Sequence, residues 1–384
     1  MQIRGPTGEL RATSLNLNAA AATRISNGPC SPLPGLATGD RPFLSSPSMD
    51  TAAFDYDLPD GSIAQDAIEP RDAARLLVAG TLEDRAFVDL PQILQPGDLV
   101  VVNQTRVRSA RVFATKMTGG RIELLLTKRI SETEWESMIR PARRISVGTT
   151  LTAGPLEMTV TTAPDRGIVT LHIESDESVD GVLETIGEIP LPPYFHGSLN
   201  DDERYQTMFA TTIGSAAAPT AALHFTPELV NSVRRRGIQL AAVDLEVGLD
   251  TLRTMDDGPI ALHQMHRECY TVPPATATAI AEAKERGSRV VAVGTTVVRT
   301  LETAARADGT VRAGTGSTDL FIVPGYRTKV IDAVITNFHA PRTTLVVMIA
   351  ALIGPAWREV YAHAIDSGYR FLSFGDAMFI EVDQ

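Results

Sequence analysis

The amino-acid sequence predicts an α/β fold in which a large, barrel-like α/β domain carries a small inserted β-barrel. The chain has 384 residues, of which 43% are hydrophobic, so it is long enough for two domains with their own cores. Short strands separated by turns occupy residues 107–175, which is typical of a small barrel. After residue 226, helices alternate with buried strands, which favours a largely parallel sheet.

These patterns divide the chain into three expected parts. Residues 1–48 are rich in Pro, Gly and Ser and have no helix or strand period, so we expect a disordered or non-native leader, with Met49 as an alternative start. The α/β domain is expected at 49–110 and 191–384. The inserted β-barrel is expected at 111–190.

In the first half of the chain, turns and β-branched runs define the elements. Residues 70–78 indicate a short helix that leads into a strand. The turn at 96–98 precedes the β-branched run 99–102, which predicts a strand. The strands expected in the barrel are short and separated by turns, and they cover 111–116, 122–126, 156–160 and 168–173.

In the second half, helix starts and stops define the elements. Thr226 precedes Pro227, the pattern of an N-cap followed by Pro at the first helical position, and this helix should end near Gly237. Another helix is expected at 277–286. The remaining elements are strands at 238–243, 289–293, 320–323 and 331–335, and a helix at 298–305.

Composition bounds the environment of the protein. Cys30 and Cys269 are too few for a disulfide framework or a four-cysteine zinc site, and no secretory pattern is present at the N-terminus. The longest apolar run, 345–353, has nine residues, whereas a membrane span needs about 20. We therefore expect a soluble, cytoplasmic protein with no membrane segment.

Charge is distributed unevenly along the chain. The 35 basic and 46 acidic residues give a net charge of −11, which argues against a protein that coats nucleic acid generally. Residues 106–144 nevertheless hold ten basic and four acidic side chains, a local net charge of +6, which leaves −17 for the remainder. This segment is either a solvated basic face or a contact surface for a phosphate backbone.

Four polar clusters interrupt the hydrophobic pattern. The first, 217–226, is a loop of small residues that leads into a helix N-terminus, where a ligand can approach the backbone and N–H groups attract an anion. A tight turn explains the same residues. The second cluster places His266, Glu268 and Tyr270 on one face of a strand, where a His–Glu pair can accept a proton.

The second cluster also raises the question of a metal. His263 and His266 are three residues apart, but no third ligand follows at a recognisable zinc spacing. We therefore expect no metal. A structural histidine remains the alternative for either side chain.

The third and fourth clusters lie at predicted strand ends, where α/β sheets hold ligands. Residues 293–302 predict a strand, a glycine turn and a helix, and 335–341 contain Asn and His after a buried strand. The sequence has neither GxGxxG nor GxxxxGK[ST], so no nucleotide-binding fold follows from these clusters. It also lacks GxSxG and a convincing Cys–His pair, which disfavours acyl transfer through a nucleophile.

A series of short stretches between Phe54 and Met378 carries a family resemblance. They are Ile63-Ala-Gln, Arg71-Asp, Gly97-Asp-Leu-Val, Asn103-Gln-Thr-Arg106, Thr118-Gly-Gly-Arg-Ile-Glu, Leu191-Pro-Pro-Tyr194, Arg204-Tyr-Gln-Thr207, Ala218-Pro-Thr, Leu223-His-Phe-Thr226, His263-Gln-Met-His266, Gly294-Thr-Thr296, Arg299-Thr-Leu-Glu302, Pro324-Gly-Tyr326 and Thr336-Asn-Phe-His339. In this order they resemble the S-adenosylmethionine:tRNA ribosyltransferase-isomerase family of queuosine biosynthesis. The family's architecture, an α/β domain with an inserted β-barrel, agrees with the fold predicted from the residues.

The resemblance implies a reaction and its participants. The ribosyl moiety of S-adenosylmethionine would be transferred to 7-aminomethyl-7-deazaguanine in tRNA and isomerised, giving epoxyqueuosine with release of adenine and methionine. S-adenosylmethionine would be a co-substrate, no metal would be required, and the basic segment would contact tRNA. Because the sulfonium acidifies the adjacent C5′–H, the site needs a base, donors for the departing adenine and a clamp for methionine.

The matching motifs and this chemistry give three sets of expected site residues. The expected catalytic residues are His224, His266 and His339, each a candidate for the base or an adenine-side donor, with Glu268 in support. The expected cofactor-binding residues are Pro219, Thr220, Phe225, Thr226, Gly294, Thr295, Thr296, Arg299 and Asn337. The expected substrate-binding residues are Arg106, Arg204, Tyr205, Gln206, Glu246 and Asp250.

One segment departs from the family pattern. Where the family shows Thr-Leu-His-Val-Gly-Ala-Gly-Thr-Phe, residues 244–252 read Asp-Leu-Glu-Val-Gly-Leu-Asp-Thr-Leu, which places Glu246 at the histidine. Drift with the function kept is one interpretation. A paralogue that uses S-adenosylmethionine with a small-molecule acceptor, or rearranges or cleaves it without tRNA, is another, and a silent binding protein is a third. Carboxylates that point into the cofactor pocket would favour the paralogue.

Overall fold

A computed structural model of the chain describes residues 49–199, 201–248 and 253–382. The leader expected at 1–48 and the expected site residue Asp250 lie outside the described residues. The strands are β1 Arg75–Val78, β2 Glu83–Ala86, β3 Leu99–Asn103, β4 Thr105–Val107, β5 Arg111–Lys116, β6 Arg121–Arg129, β7 Glu134–Arg140, β8 Thr150–Ala153, β9 Leu156–Val160, β10 Ile168–Glu174, β11 Thr212–Ser215, β12 Gln239–Leu245, β13 Glu268–Val272, β14 Val290–Val293, β15 Gly314–Thr318, β16 Ala333–Asn337 and β17 Ala377–Glu381. The helices are α1 Leu90–Ile93, α2 Val179–Ile186, α3 Pro227–Arg235, α4 Pro274–Glu285, α5 Thr295–Ala304, α6 Thr344–Ile353 and α7 Trp357–Asp366.

The large domain is built on a nine-stranded mixed sheet. Its order is β15-β13-β12-β3-β14-β16-β17-β1-β2. The central neighbours β12, β3, β14 and β16 run parallel, whereas the pairs toward β15 and the pair β16–β17 are antiparallel. The carboxyl ends of β12, β14 and β16 therefore meet at one edge of the sheet.

Central strand β3 shows why the sheet is covered on both faces. All five of its residues are buried. Leu99 and Val101 pack in a core cluster that includes residues of α4 and α5. Val100 and Val102 point the other way, into a cluster with residues of α3, because successive strand side chains alternate between faces. A continuous apolar run is the signature of a strand buried on both faces.

The inserted barrel is closed, in the order β10-β7-β6-β5-β8-β9. Its strands alternate: in β6, Ile122, Leu124 and Leu126 are buried and the residues between them are at least partly exposed. Helix α2 packs Val182 and Leu183 against the barrel core. This alternation gives the barrel a core of its own, separate from that of the large sheet.

The predicted α/β class and the inserted barrel are both confirmed. The sheet of the large domain is open, with β15 and β2 as its edge strands. The closed barrel is the small inserted domain. The strand predicted at 320–323 is wrong: these residues form no strand, and the pairing strand is β15, earlier in the chain. The apolar side chains of this run contribute to the core and not to the sheet, since Ile322 is buried in a core cluster.

Helix α6 corresponds to the apolar run noted in the sequence. The stretch Thr344–Asp366 is apolar and long enough to cross a membrane by length and composition, but half of its most apolar window is buried within the protein. Gly354, with φ 57° and ψ −147°, interrupts it between α6 and α7. A core helix of a globular protein meets the same criterion.

Candidate functional site

A cavity opens where the carboxyl ends of β12, β14 and β16 meet. Three segments predicted from the sequence converge there, the small-residue loop, the glycine turn before α5 and the end of β16. The cavity is lined by Tyr194, Tyr205, Ala217, Ala218, Pro219, Thr220, Ala221, Val247, Gly294, Thr295, Thr296, Thr336, Asn337, His339, Ala340, Thr343, Leu345, Leu372 and Ser373. Ligand sites in α/β sheets lie at such strand ends.

Asn337, the last residue of β16, is held on both sides of its amide. The Thr220 hydroxyl donates to its Oδ1 at 2.8 Å. Its Nδ2 donates to the carbonyl of Asp376 at 3.3 Å and lies 3.4 Å from Nε2 of His224. The amide is therefore fixed in one orientation at the cavity wall.

His224 is buried behind Asn337 and does not line the cavity. Its ring packs against Phe87 with centroids 5.0 Å apart. Burial, and then the nearby charge of Arg204, lower the pKa of His224 to about 3. The imidazole is uncharged at neutral pH and is joined to the cavity through Asn337.

His339 lines the cavity directly. Its Nε2 lies 3.0 Å from the Thr336 hydroxyl, and its backbone N–H donates to the Tyr361 hydroxyl at 3.1 Å. Burial lowers the pKa of His339 to about 3. This ring is also uncharged at neutral pH and can act as a hydrogen-bonding group of fixed orientation.

The N-terminal end of α5 forms another wall of the cavity. Gly294 precedes the helix with φ 89°, a backbone conformation that favours glycine. Thr295 and Thr296 follow as the first helical residues. Among the described residues, the buried Oγ1 of Thr296 has no hydrogen-bond partner. The cavity thus presents an unused hydroxyl and the end of a helix at which N–H groups have no intrahelical partner.

Tyr194 and Ser373 line the cavity but were not among the predicted site residues. Their hydroxyls are 2.5 Å apart. Burial raises the pKa of Tyr194 to about 12, so the phenol stays protonated. The signal in the sequence was the Leu191-Pro-Pro-Tyr194 match, whereas Ser373 directly precedes the stretch Phe374-Gly-Asp-Ala-Met378, at which the resemblance ends.

His266, Glu268 and Arg299 form a connected group beside the cavity. Nε2 of His266 lies 2.9 Å from Oε1 of Glu268, and Arg299 forms an ion pair with Oε2. The backbone N–H of Gly248 also donates to Oε1, at 2.8 Å. Val247, which precedes Gly248 in the chain, lines the cavity.

Glu268 is ionised in this group. Burial favours its neutral form, but the hydrogen bond from His266, the charge of Arg299 and the Gly248 N–H together hold the pKa of this carboxyl below its usual value. Arg299 uses its charge on Glu268 and donates Nε to the carbonyl of Leu320 at 3.1 Å. Arg299, which was expected to bind the cofactor, therefore has a protein carboxylate as its charged partner.

Arg299 also connects this group to the cavity. With Met265, Leu320 and Met348, it lines a small adjoining cavity that shares Thr295 and Thr296 with the main one. The predicted His–Glu pair and the predicted threonines are thus neighbours around the first turns of α5.

Two predicted cofactor-binding residues lie away from the cavity. Phe225 is buried in the core, with ring contacts to Phe87 and Phe209. Thr226 is the N-cap of α3: its Oγ1 accepts from the Leu229 N–H at 3.1 Å and donates to Asp72 at 2.9 Å. The structure gives both residues a role in packing and capping.

The predicted substrate-binding residues near 204 are mostly engaged within the protein. Arg106 forms an ion pair with Glu203, and Arg204 with Glu69 at 2.5 Å. The Gln206 amide accepts from the Val107 N–H and donates to the Val107 carbonyl, both at 2.9 Å. Within this group, Tyr205 alone lines the cavity.

Glu246 does not line the cavity, and its side chain is exposed. It lies beside β11, where a Cβ added to Gly214 would come within 3.0 Å of its Cγ. The neighbouring Asp244 accepts from the Gln104 amide at 2.9 Å. Among the described residues, the altered segment therefore adds no carboxylate to the pocket.

No group of three or more His, Cys, Asp or Glu side chains within 49–199, 201–248 and 253–382 could hold a metal ion. His263, half of the histidine pair in the sequence, packs its ring against Phe321 with centroids 5.5 Å apart.

Most of the chain is similar to known proteins. The model of the family described as "Queuosine biosynthesis protein" matches residues 51–380. The chain is 50% identical to the S-adenosylmethionine:tRNA ribosyltransferase-isomerase of Moorella thermoacetica, over 85% of this chain and 98% of that protein. It is 46% identical to the protein of the same name from Symbiobacterium thermophilum, over 86% and 100%. A crystal structure of S-adenosylmethionine tRNA ribosyltransferase from Thermotoga maritima is 37% identical, covers 85% of this chain and 99% of that one, and has a TM-score of 0.49.

Proposed function

This chain belongs to the family of queuosine biosynthesis proteins, and we propose that it transfers and isomerises the ribosyl moiety of S-adenosylmethionine onto 7-aminomethyl-7-deazaguanine in tRNA. The products are epoxyqueuosine, adenine and methionine. The relatives named S-adenosylmethionine:tRNA ribosyltransferase-isomerase match 85–86% of the chain at 46–50% identity. A cytoplasmic location stays a prediction.

One observation supports the proposal beyond overall similarity. Three motifs that are far apart in sequence, Ala218–Thr220, Gly294–Thr296 and Thr336–His339, line one cavity. Each contributes hydrogen-bonding groups, and the matching stretches therefore meet at a single place. A cavity of this kind, with convergent polar groups on a packed scaffold, is the expected form of a small-molecule site.

The residues at the cavity fit S-adenosylmethionine as a co-substrate. The buried Thr296 hydroxyl has no partner among the described residues and can bond to a ligand. The helix end at Thr295 and Thr296 suits a carboxylate. Because His224 and His339 have pKa values of about 3, they are uncharged at neutral pH and do not repel a sulfonium cation.

We assign the base to His266. Its Nε2 lies 2.9 Å from the Glu268 carboxylate, which orients the ring as in other His–carboxylate pairs. The carboxylate stabilises the positive charge that forms when the ring takes the C5′ proton. His224 and His339 hold protons too weakly for this step, so we assign His339 to hydrogen bonding at the cavity and His224 to the orientation of Asn337.

The ion pair between Arg299 and Glu268 has a positioning role in this proposal. It fixes the carboxylate that orients His266, and it links that carboxylate to α5, whose first residues line the cavity. Thr220 and Asn337 supply donors and acceptors to the nucleoside, and Tyr194 supplies a protonated phenol.

The test measures adenine release from S-adenosylmethionine. The enzyme is incubated with tRNA that carries the aminomethyl deazaguanine, and adenine and methionine are quantified with epoxyqueuosine in the RNA. The same tRNA with guanine at that position is the matched control. We expect release with the first RNA only. Absence of adenine with both RNAs overturns the proposal, and equal release without tRNA would assign the chain a different acceptor.

A further inference from the structure

We propose that the end of the inserted barrel farthest from the large domain binds the phosphate backbone of tRNA, away from the nucleotide that is modified. This inference rests on the proposed function, since it locates the partner that the function requires. It is carried by the arrangement of charge and exposed apolar groups on the barrel.

Three connections meet at this end of the barrel. The β5–β6 turn spans 117–120, and the β7–β8 connection spans 141–149. The two lie together because Lys116 Nζ donates to the carbonyl of Arg144 at 3.0 Å. The β9–β10 connection at 161–167 joins them, since the Ile139 N–H near the end of β7 donates to the carbonyl of Gly167 at 2.8 Å.

Six cations lie on or beside these connections and form what we call the basic rim. They are Lys116, Arg121, Arg140, Arg143, Arg144 and Arg166. All except Lys116 are exposed. Among the described residues none of the six forms an ion pair with a carboxylate. The three connections carry one carboxylate, Asp165.

The structure thereby separates the basic segment 106–144 into two groups. Four of its ten cations are paired within the protein, Arg106 with Glu203, Arg108 and Arg129 with Asp180, and Arg111 with Glu123. Five of the remaining six belong to the basic rim, and Lys128 is the exception. The charge that is available to a partner is therefore concentrated at one end of the barrel.

Exposed apolar side chains accompany the cations. Met117 is 88% exposed and Val147 59%, on two of the connections. Phe113 is 38% exposed, and the Arg121 guanidinium lies 4.2 Å from its ring centroid. Exposed aromatic and guanidinium planes among cations are the groups on which unpaired bases stack. This combination fits RNA better than it fits a solvated face.

The other end of the barrel has the opposite charge. A groove there is lined by carboxylates together with Arg129 and Trp135; the carboxylates are Glu132, Glu157, Glu174, Asp176, Glu177 and Asp180. A polyanion is repelled from this end and attracted to the basic rim. The charge pattern thus fixes which end of the barrel an RNA can approach.

The basic rim is distant from the domain junction. Strand β5 begins beside the junction, where the backbone of Arg111 forms an antiparallel bridge with that of Glu188. The strand ends at the rim with Lys116. Five residue steps of about 3.4 Å place the rim roughly 17 Å further out. Phosphate contacts at this distance position an RNA without reading the modified base. They should raise affinity for tRNA and leave the chemical step unchanged.

The experiment compares two triple variants with the same change in charge. The rim variant is R121Q/R140Q/R143Q, and the control is R234Q/R235Q/R236Q at the exposed end of α3. Binding of fluorescently labelled tRNA is measured by anisotropy over a salt series. Each phosphate contact that is lost lowers the slope of log Kd against log salt by about 0.7–0.9. We expect the rim variant to lose roughly two units of slope and to bind about tenfold more weakly or worse at moderate salt.

Steady-state adenine release provides the second readout. The rim variant should show a higher KM for tRNA, with kcat and the KM for S-adenosylmethionine unchanged, and the control should match the wild type. A rim variant with wild-type Kd and slope, or a control that loses as much, overturns the assignment of the surface. A wild-type enzyme that releases no adenine contradicts the proposed function instead, so the two failures are distinguishable.

Discussion

Nε2 of His266 lies 2.9 Å from Oε1 of Glu268, and the second carboxylate oxygen of Glu268 is paired with Arg299. Glu268 and Arg299 are 31 positions apart in the sequence, and their ion pair joins strand β13 to helix α5. One buried carboxylate therefore orients a candidate base and neutralises a buried guanidinium. A change at Glu268 should affect both catalysis and stability.

Glu268→Gln keeps the shape of the side chain but removes its charge. We expect kcat for adenine release to fall by about a hundredfold or more, because the His266 ring loses the carboxylate that stabilises its protonated form. The free energy of unfolding should fall by about 3–5 kcal/mol, since the Arg299 guanidinium stays buried without an opposite charge beside it. Single-turnover kinetics and denaturant unfolding measure the two effects.

His266→Gln separates the two roles of Glu268. It removes the proposed base but keeps the ion pair between Glu268 and Arg299, so it should lose activity with a smaller loss of stability. A His266→Gln enzyme with wild-type kcat would show that the base lies elsewhere.

The pH dependence of stability should report the buried histidines. His224 and His339 have pKa values of about 3 in the folded protein, against 6.5 without perturbation. Below about pH 6.5 the unfolded chain binds protons that the folded protein does not, so stability falls as pH falls toward 3. Each such group contributes up to about 1.4 kcal/mol per pH unit.

His224→Gln should therefore reduce the slope of unfolding free energy against pH by the contribution of one buried histidine. Denaturant unfolding between pH 4 and 7 gives the slope for each protein. His196→Gln, at an exposed side chain, is the matched control for the substitution itself. The same slope in His224→Gln and the wild type would contradict the burial argument.

The sequence predicted the local parts of this site better than their assembly. The segment 122–126 and the β-branched run 99–102 predicted strands β6 and β3 correctly, because strand preference depends largely on the residues of the segment itself. The strand predicted at 320–323 was wrong, since an apolar run serves packing and pairing equally well. Arg299 also illustrates the difference: no spacing along the chain shows that its anion is Glu268.

Thr226 tests the distinction between motif position and role. It belongs to a matching stretch and was predicted to bind the cofactor, but its hydroxyl caps α3. Thr226→Ala should cost about 1 kcal/mol of stability, as expected for an N-cap, and leave the KM for S-adenosylmethionine unchanged. Thermal unfolding and steady-state kinetics provide the measurements. An increase in the KM for S-adenosylmethionine without loss of stability would show that Thr226 contributes to cofactor binding.

Thr220→Val is the counterpart of the Thr226 variant within the same loop region. It removes the hydroxyl that donates to Asn337 at 2.8 Å and that faces the cavity. We expect the KM for S-adenosylmethionine to rise about tenfold, because the Asn337 amide loses the partner that fixes its orientation and is left with an unsatisfied acceptor. Isothermal titration with S-adenosylmethionine should show the same factor in Kd. Unchanged binding would mean that this amide does not contact the ligand.

Gly294 tests whether the start of α5 must keep its geometry. Its φ of 89° is costly for a residue with a Cβ, and a Cβ there would lie 3.7 Å from the Thr296 hydroxyl. Gly294→Ala should lose about 1–2 kcal/mol of stability and also weaken binding of S-adenosylmethionine, since relief of the unfavourable φ would move the start of α5 at Thr295 and Thr296. Gly237→Ala is the matched control, because Gly237 has φ 77° and no other group within 4 Å of an added Cβ. It should lose similar stability and keep wild-type binding. Equal binding losses in the two variants would show that global destabilisation, and not the turn at the cavity, weakens the site.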